Sequence, residues 1–179
     1  MIKILKNIPT VSTILEQYAS DLGGDSLAYT NHVLRVINYY NALTNMDECP
    51  QQVMIAAAFH DLGIWTAKTF DYLEPSVRLV RTYLDSVHLS QCTPEIEAII
   101  LHHHKVREYT GTFAATVEVF RKADLIDVSL GFIRFGVPAT FIQSVKSTFP
   151  DAGFHRKLCV LTVHQFMRTP LRPLPMVRW

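Results

Sequence analysis

Apolar residues recur along this chain at three- and four-residue spacing, the period of helices packed on one face, and hairpin signals are almost absent. From Leu27 to Leu43, the residues Leu27, Val33 or Leu34, Ile37 and Tyr40 or Asn41 fall near one helical face. They follow the turn cluster Gly23-Gly24-Asp25-Ser26, in which Asp25 or Ser26 can cap. Pro50 suits the first turn of a second helix, which runs through Val53-Met54-Ile55-Ala56-Ala57-Ala58-Phe59 and is expected to end at Gly63. A helix apolar on every side belongs at the centre of a fold. Pro75 opens a further helix with Val77, Leu79 or Val80, and Leu84. Thr93-Pro94-Glu95 offers a cap, a first-turn proline and an acidic residue at the positive end of the helix dipole, predicting a helix to about Lys105. Thr112 to Ser129, Pro138 to Phe149 and Gly153 to Arg168 complete the set. The expectation is an all-α, single-domain bundle over residues 1–169. A Pro-rich tail, 170–179, cannot continue a helix and is expected to lie extended on the surface or to be disordered.

Composition narrows the function classes. The chain has 179 residues and a formal net charge of +1, enough for one ordinary core and too neutral to suggest a nucleic-acid surface or a polybasic membrane patch. Cys49, Cys92 and Cys159 are odd in number and widely separated, which fits neither a disulfide framework nor a Cys-x-x-Cys zinc site and points to a reducing cytoplasm. The apolar run at the N-terminus is broken by Lys6, Asn7 and Pro9, so a leader peptide is not expected. No uninterrupted apolar stretch reaches the roughly 18 residues of a membrane span. Nothing fixes the oligomeric state; a homodimer stays open.

Against that apolar background stand His32, the doublet His60-Asp61, the triplet His102-His103-His104, and Asp124. These are ligand types for a divalent metal, and each sits in a segment that otherwise reads as buried helix. An ionised Asp buried there without a cation would cost several kcal/mol. Neighbouring helical residues point about 100° apart, so His60 and Asp61 can chelate one ion only near a helix end. Asp127 lies one turn beyond Asp124 and reads as an acceptor behind the ligands.

The order of these residues, with the strings NHVLRV, AAAFHDLG and RKADLIDV around them, resembles the HD-domain superfamily of metal-dependent phosphohydrolases over roughly Asp25 to Leu130. The resemblance implies an all-helical domain of about five core helices, here with C-terminal helices added. It also implies that His32, His60, Asp61 and Asp124 hold one divalent ion (Mn, Mg, Co, Zn, Ni or Fe) whose remaining positions take water and a substrate oxygen. The implied activity is hydrolysis of a nucleotide or other small phosphate ester through a metal-activated water, with Asp61 orienting that water.

Two departures from the family pattern matter. Many members carry a Glu shortly after the doublet to help activate water; here Leu62-Gly63-Ile64-Trp65 follow, and Glu74 or Asp71 is the nearest substitute. Members with two metals carry further histidines, among them a His-His pair that His103-His104 resembles. A second ion held by Glu74, His103 and His104 therefore stays open, and with it a di-iron oxygenase. His88 reads as surface. His103 or His104 could donate to a phosphoryl oxygen or protonate a leaving group, and Arg35, His104, Lys105 and Arg107 could hold the anion. The third class is a non-enzymatic ligand-binding or signalling domain stapled by its metal. Phe132, Phe135, Phe141 and Phe149 could line a pocket but, at helical spacing, are expected in the core.

Overall fold

The computed structural model describes residues 3–177, and every regular element among them is helical. Besides two short 3-10 turns, Gly23–Asp25 and Ser90–Cys92, these are in order α1 (Pro9–Gln17), α2 (Ala19–Leu22), α3 (Ser26–Thr44), α4 (Gln51–Phe59), α5 (Gly63–Thr66), α6 (Leu73–Ser86), α7 (Thr93–His102), α8 (Ala114–Val128), α9 (Ala139–Thr148) and α10 (Phe154–Arg168). One apolar cluster runs through them from Ile8 to Met176. No helix among the described residues is long and apolar enough to cross a membrane.

The centre is α4. Its Val53 and the run Ile55 to Phe59 are buried, and α1, α3, α6 and α7 pack around it. Ala56, Ala57 and Ala58 leave short side chains there, which lets neighbouring backbones come close. Helix α1 lies in the N-terminal segment, for which sequence predicted no element. Pro9 opens it, and Val11, Ile14 and Leu15 form its buried stripe against α4. In α3 the buried face is partly polar, with Asn31, His32, Arg35, Asn38 and Asn41, while Leu27 is 65% exposed instead of inward. Helix α3 stops at Asn45, which adopts the left-handed conformation (φ 55°) that asparagine tolerates at a helix C-terminus.

Three other expectations are corrected. Neither Asp25 nor Thr93 makes a side-chain cap; the Asp25 carboxylate instead accepts from Trp65 Nε1 at 2.9 Å and pairs with Lys157 at 2.8 Å. Phe132 is 87% exposed and Phe135 41%, because both fall in the irregular segment after α8; of the four phenylalanines only Phe149 enters the core fully. The tail leaves the helix at Thr169 as proline requires, yet it turns back: Met176 is 5% exposed and belongs to the apolar cluster.

Gly63 does not end α4, which stops at Phe59; it is the first residue of α5. Its role is close approach. A Cβ there would lie 2.5 Å from the Tyr72 carbonyl oxygen and 3.0 Å from Pro75 Cβ, while its N–H donates to Ser76 Oγ at 3.0 Å. Gly63→Ala must push the start of α6 away, and we expect a loss of roughly 1–3 kcal/mol in chemical denaturation. Wild-type stability in this variant would contradict the packing described.

Candidate metal centre

Helices α3 and α8 lie side by side and meet the C-terminal ends of α4 and α7. That junction collects His32 from α3, His60-Asp61 from the end of α4, His103-His104 from the end of α7, and Asp124 and Asp127 from α8. His32, His60, Asp61, His103, Asp124 and Asp127 are all buried.

The hydrogen bonds behind the cluster fix the imidazole tautomers. His32 Nδ1 donates to Asp127 Oδ2, His60 Nδ1 to the Ala57 carbonyl and His103 Nδ1 to the Ile100 carbonyl, each at 2.7 Å. Each ring then presents a bare Nε2 lone pair to the interior. His32 Nε2 and His60 Nε2 stand only 3.0 Å apart. Two lone pairs at that distance repel unless a proton or a cation lies between them. Carboxylate oxygens complete the set: Asp61 Oδ2 is 3.5 Å from His60 Nε2 and 3.7 Å from His32 Nε2, and Asp124 Oδ1 is 3.5 Å from His32 Nε2 and 3.8 Å from His60 Nε2. Ligand atoms about 2.1 Å from one ion lie about 3.0–3.4 Å apart at octahedral or tetrahedral angles, so the arrangement is close to what coordination demands. Asp61 Oδ1, His103 Nε2 and Asp124 Oδ1 are buried with no hydrogen-bond partner. Such orphaned acceptors are rare and costly, and a cation answers all of them together.

Charge gives the same result. Three buried carboxylates, Asp61, Asp124 and Asp127, face one buried guanidinium, Arg35, leaving two negative charges when the imidazoles are neutral. Burial holds His60 neutral, pushing it down to about 3. Without a cation, protons compensate in part. Burial, together with the neighbouring Asp61 and Asp127, pushes Asp124 up to about 6, although His103 and His32 oppose it. Burial opposes a charge on His103, but attraction by the Asp61 and Asp124 carboxylates raises it. Burial would also raise Asp61, but attraction by the surrounding imidazoles, whenever one of them carries a proton, holds it below the carboxylate range. Below about pH 6 a metal must therefore displace a proton from Asp124. We expect ion uptake to release protons and its apparent affinity to fall roughly tenfold per pH unit below about 6. Calorimetry in buffers of different ionisation enthalpy measures this, and a pH-independent affinity between 5 and 7 would contradict it.

A second donor group shares Asp61. Asp61 Oδ1 is 3.4 Å from His103 Nε2, and ligand atoms of Asp61, His103 and His104 fall within 4.8 Å of one another. Glu74 is not there. It lies exposed in the first turn of α6, and Asp71, just before that helix, is exposed too, while Tyr72 between them is buried. Tyr72 O–H donates to His104 Nε2 at 2.6 Å; burial and the Asp61 and Asp124 carboxylates keep its proton on. His104 Nδ1 then faces Asp124 Oδ2 at 3.9 Å. His102 turns away and stacks on Tyr109, and His88 is exposed.

The proposed anion-binding cations separate. Arg35 is corrected: it is 1% exposed, with Nε and Nη2 on the two Asp127 oxygens at 2.6 and 2.8 Å and Nη1 on the Phe149 carbonyl at 3.1 Å. Its task is to hold Asp127 behind His32. Arg107 is exposed and does not line the cavity beside the cluster, whereas Lys105 does. That cavity, about 450 Å³, has Asp61, His103, His104 and Asp124 in its wall. The donor cluster therefore has an open side.

Sequence reasoning missed four residues here. Tyr29 accepts from the Asp61 N–H at 3.3 Å and donates to the Ala58 carbonyl at 3.0 Å; its place one turn before His32 was the available signal. Arg121, one turn before Asp124, lines the cavity and carried the same signal. Tyr72 and Phe154, which stacks on His32 at 4.0 Å between ring centres, carried none. The chain matches no protein-family model, curated protein or solved structure with which it was compared.

Proposed function

We propose that this chain is a metal-dependent phosphohydrolase of the HD-domain kind, cleaving a small phosphate ester through a metal-activated water. The observation that carries the reading is a buried cluster of bare lone pairs and carboxylates, two charges negative, opening on one side into a small-molecule cavity. A divalent ion held by His32, His60, Asp61 and Asp124 supplies a Lewis acid for the phosphoryl oxygen and lowers the pKa of water. The protein does the rest. Asp127 and the Ala57 carbonyl keep His32 and His60 in the ligating tautomer. Asp61 divides its oxygens between the two donor groups and orients the attacking water. Tyr72 leaves the proton of His104 on Nδ1, on the side of Asp124, where it can donate a hydrogen bond to a phosphoryl oxygen. Lys105 adds positive charge to the same wall.

Tyr72→Phe removes the tautomer lock without touching a ligand, so we expect kcat to fall roughly 10- to 100-fold at unchanged metal content. A wild-type kcat would remove Tyr72 from the account. The reading as a whole is tested by inorganic phosphate release from a panel of small esters with each of Mn, Mg, Co, Zn, Ni and Fe; no release with any metal contradicts it.

One observation favours a second reading. The shared Asp61 with His103 and His104 could hold another ion, as a di-iron oxygenase needs. With Glu74 outside the cluster, that ion has fewer protein ligands than the oxygenase reading required. A single ion bound after anaerobic iron loading removes it. The metal-staple reading is disfavoured by the open side of the cluster.

A further inference from the structure

The cavity narrows the substrate, on the basis of the phosphohydrolase reading above. We propose that the substrate is a phosphate monoester of an apolar alcohol, its anionic end at the donor cluster and its hydrocarbon body in the cavity, and not a nucleotide. Away from the donors the wall is built largely from Phe70, Leu125, Val128, Leu158, Leu174 and Met176. Leu158 comes from α10, and Leu174 and Met176 come from the returning tail. The C-terminal segment thus supplies one apolar side of the chamber.

The polar side chains in that wall are already committed. Thr162 Oγ1 donates to the Leu158 carbonyl at 2.8 Å. Arg121 spends Nε and Nη2 on the Glu118 carboxylate, both at 2.8 Å, and Nη1 on the Lys105 carbonyl at 3.3 Å. The Tyr72 hydroxyl is on His104. A nucleobase buried here would leave its donors and acceptors unpaired, each costing roughly tenfold or more in affinity. A triphosphate would bring several charges to a wall whose cations are Lys105 and Arg121, the latter paired with Glu118. A hydrocarbon body meets no such cost, and each buried methylene gains roughly fourfold. A volume of about 450 Å³ lies within the ordinary range for a small ligand.

In the reaction the oxygen of water bonds to phosphorus as the bond from phosphorus to the alkoxy oxygen breaks. The electron pair of that bond leaves with the alkoxide, which takes a proton supplied overall by the water. The products are the alcohol and inorganic phosphate.

The test is calorimetric binding of ethyl-, butyl-, hexyl- and octylphosphonate and of AMP to the metal-bearing protein as purified, with phosphate release from the matching alkyl phosphates in parallel. We expect affinity to rise roughly fourfold per methylene until the cavity fills, and octylphosphonate to bind at least about 100-fold more tightly than AMP. Leu158→Asp, at unchanged metal content, should flatten the series; the wild-type series decides the matter even if that variant fails to fold. Affinity independent of chain length, or AMP the tighter ligand, overturns the inference while leaving the hydrolase reading intact if phosphate is released. A rising series with no phosphate released from any ester overturns the hydrolase reading instead, and leaves a cavity that binds apolar anions.

Discussion

His60→Ala loses the bound ion and lowers turnover on the order of 10³-fold or more, with the helical signal kept. The magnitude follows from several kcal/mol of charge stabilisation that a metal contributes to a phosphoryl-transfer barrier. His60 is the most informative ligand to remove because its Nε2 is 3.0 Å from His32 Nε2 and 3.5 Å from Asp61 Oδ2, while among the described residues its other side-chain hydrogen bond is to the Ala57 carbonyl, on its own helix. The loss is therefore local. Asp61→Ala should behave in the same way and also removes the carboxylate that reaches His103. Measured by steady-state phosphate release alongside metal content, full activity in either variant would sink the mechanism.

The largest effect on stability is expected at Arg35. It is buried beside an equally buried Asp127, and its guanidinium also holds the Phe149 and Pro150 carbonyls at the approach to α10. Removing one partner of a buried ion pair leaves the other uncompensated, so Arg35→Ala should cost about 3–5 kcal/mol in urea denaturation. Lysine should not rescue it, because the paired contact to both Asp127 oxygens needs a planar fork. Burial alone would raise Asp127, but the hydrogen bonds from His32 and Arg35 hold it below the carboxylate range. Asp127 therefore contributes stability that is complete above the unfolded-state value of about 4 and lost as the pH falls from there toward its depressed native value. Wild-type stability for Arg35→Ala would mean that Asp127 finds another partner. The exposed pair of Arg81 and Glu97 serves as the control, since solvent screens it.

These two sites also show what sequence could and could not supply. Helix type and order follow from periodicity, and α3, α4, α7, α8, α9 and α10 lie within a few residues of the expected bounds. The donors were found because His and Asp stand out inside apolar runs. Arg35 was misassigned for the same local reason: its charge is visible in sequence, but its partner Asp127 lies 92 positions away. Glu74 and Tyr72 show a subtler limit. Two residues apart in sequence, Tyr72 is buried against the cluster and Glu74, the expected contributor, is exposed, a difference that a helix start leaves open until its packing is known. The cavity was hidden altogether, since the tail that builds part of it reads only as a segment that cannot be helical.

The central claim is that the cluster holds a divalent ion, and elemental mass spectrometry tests it most directly. Protein purified without chelator or affinity-resin metal should carry about one divalent ion per chain, and the folded His60→Ala variant should carry none. A metal-free wild-type protein that takes up no divalent ion on dialysis against Mn, Co, Zn, Ni, Fe or Mg would contradict the account.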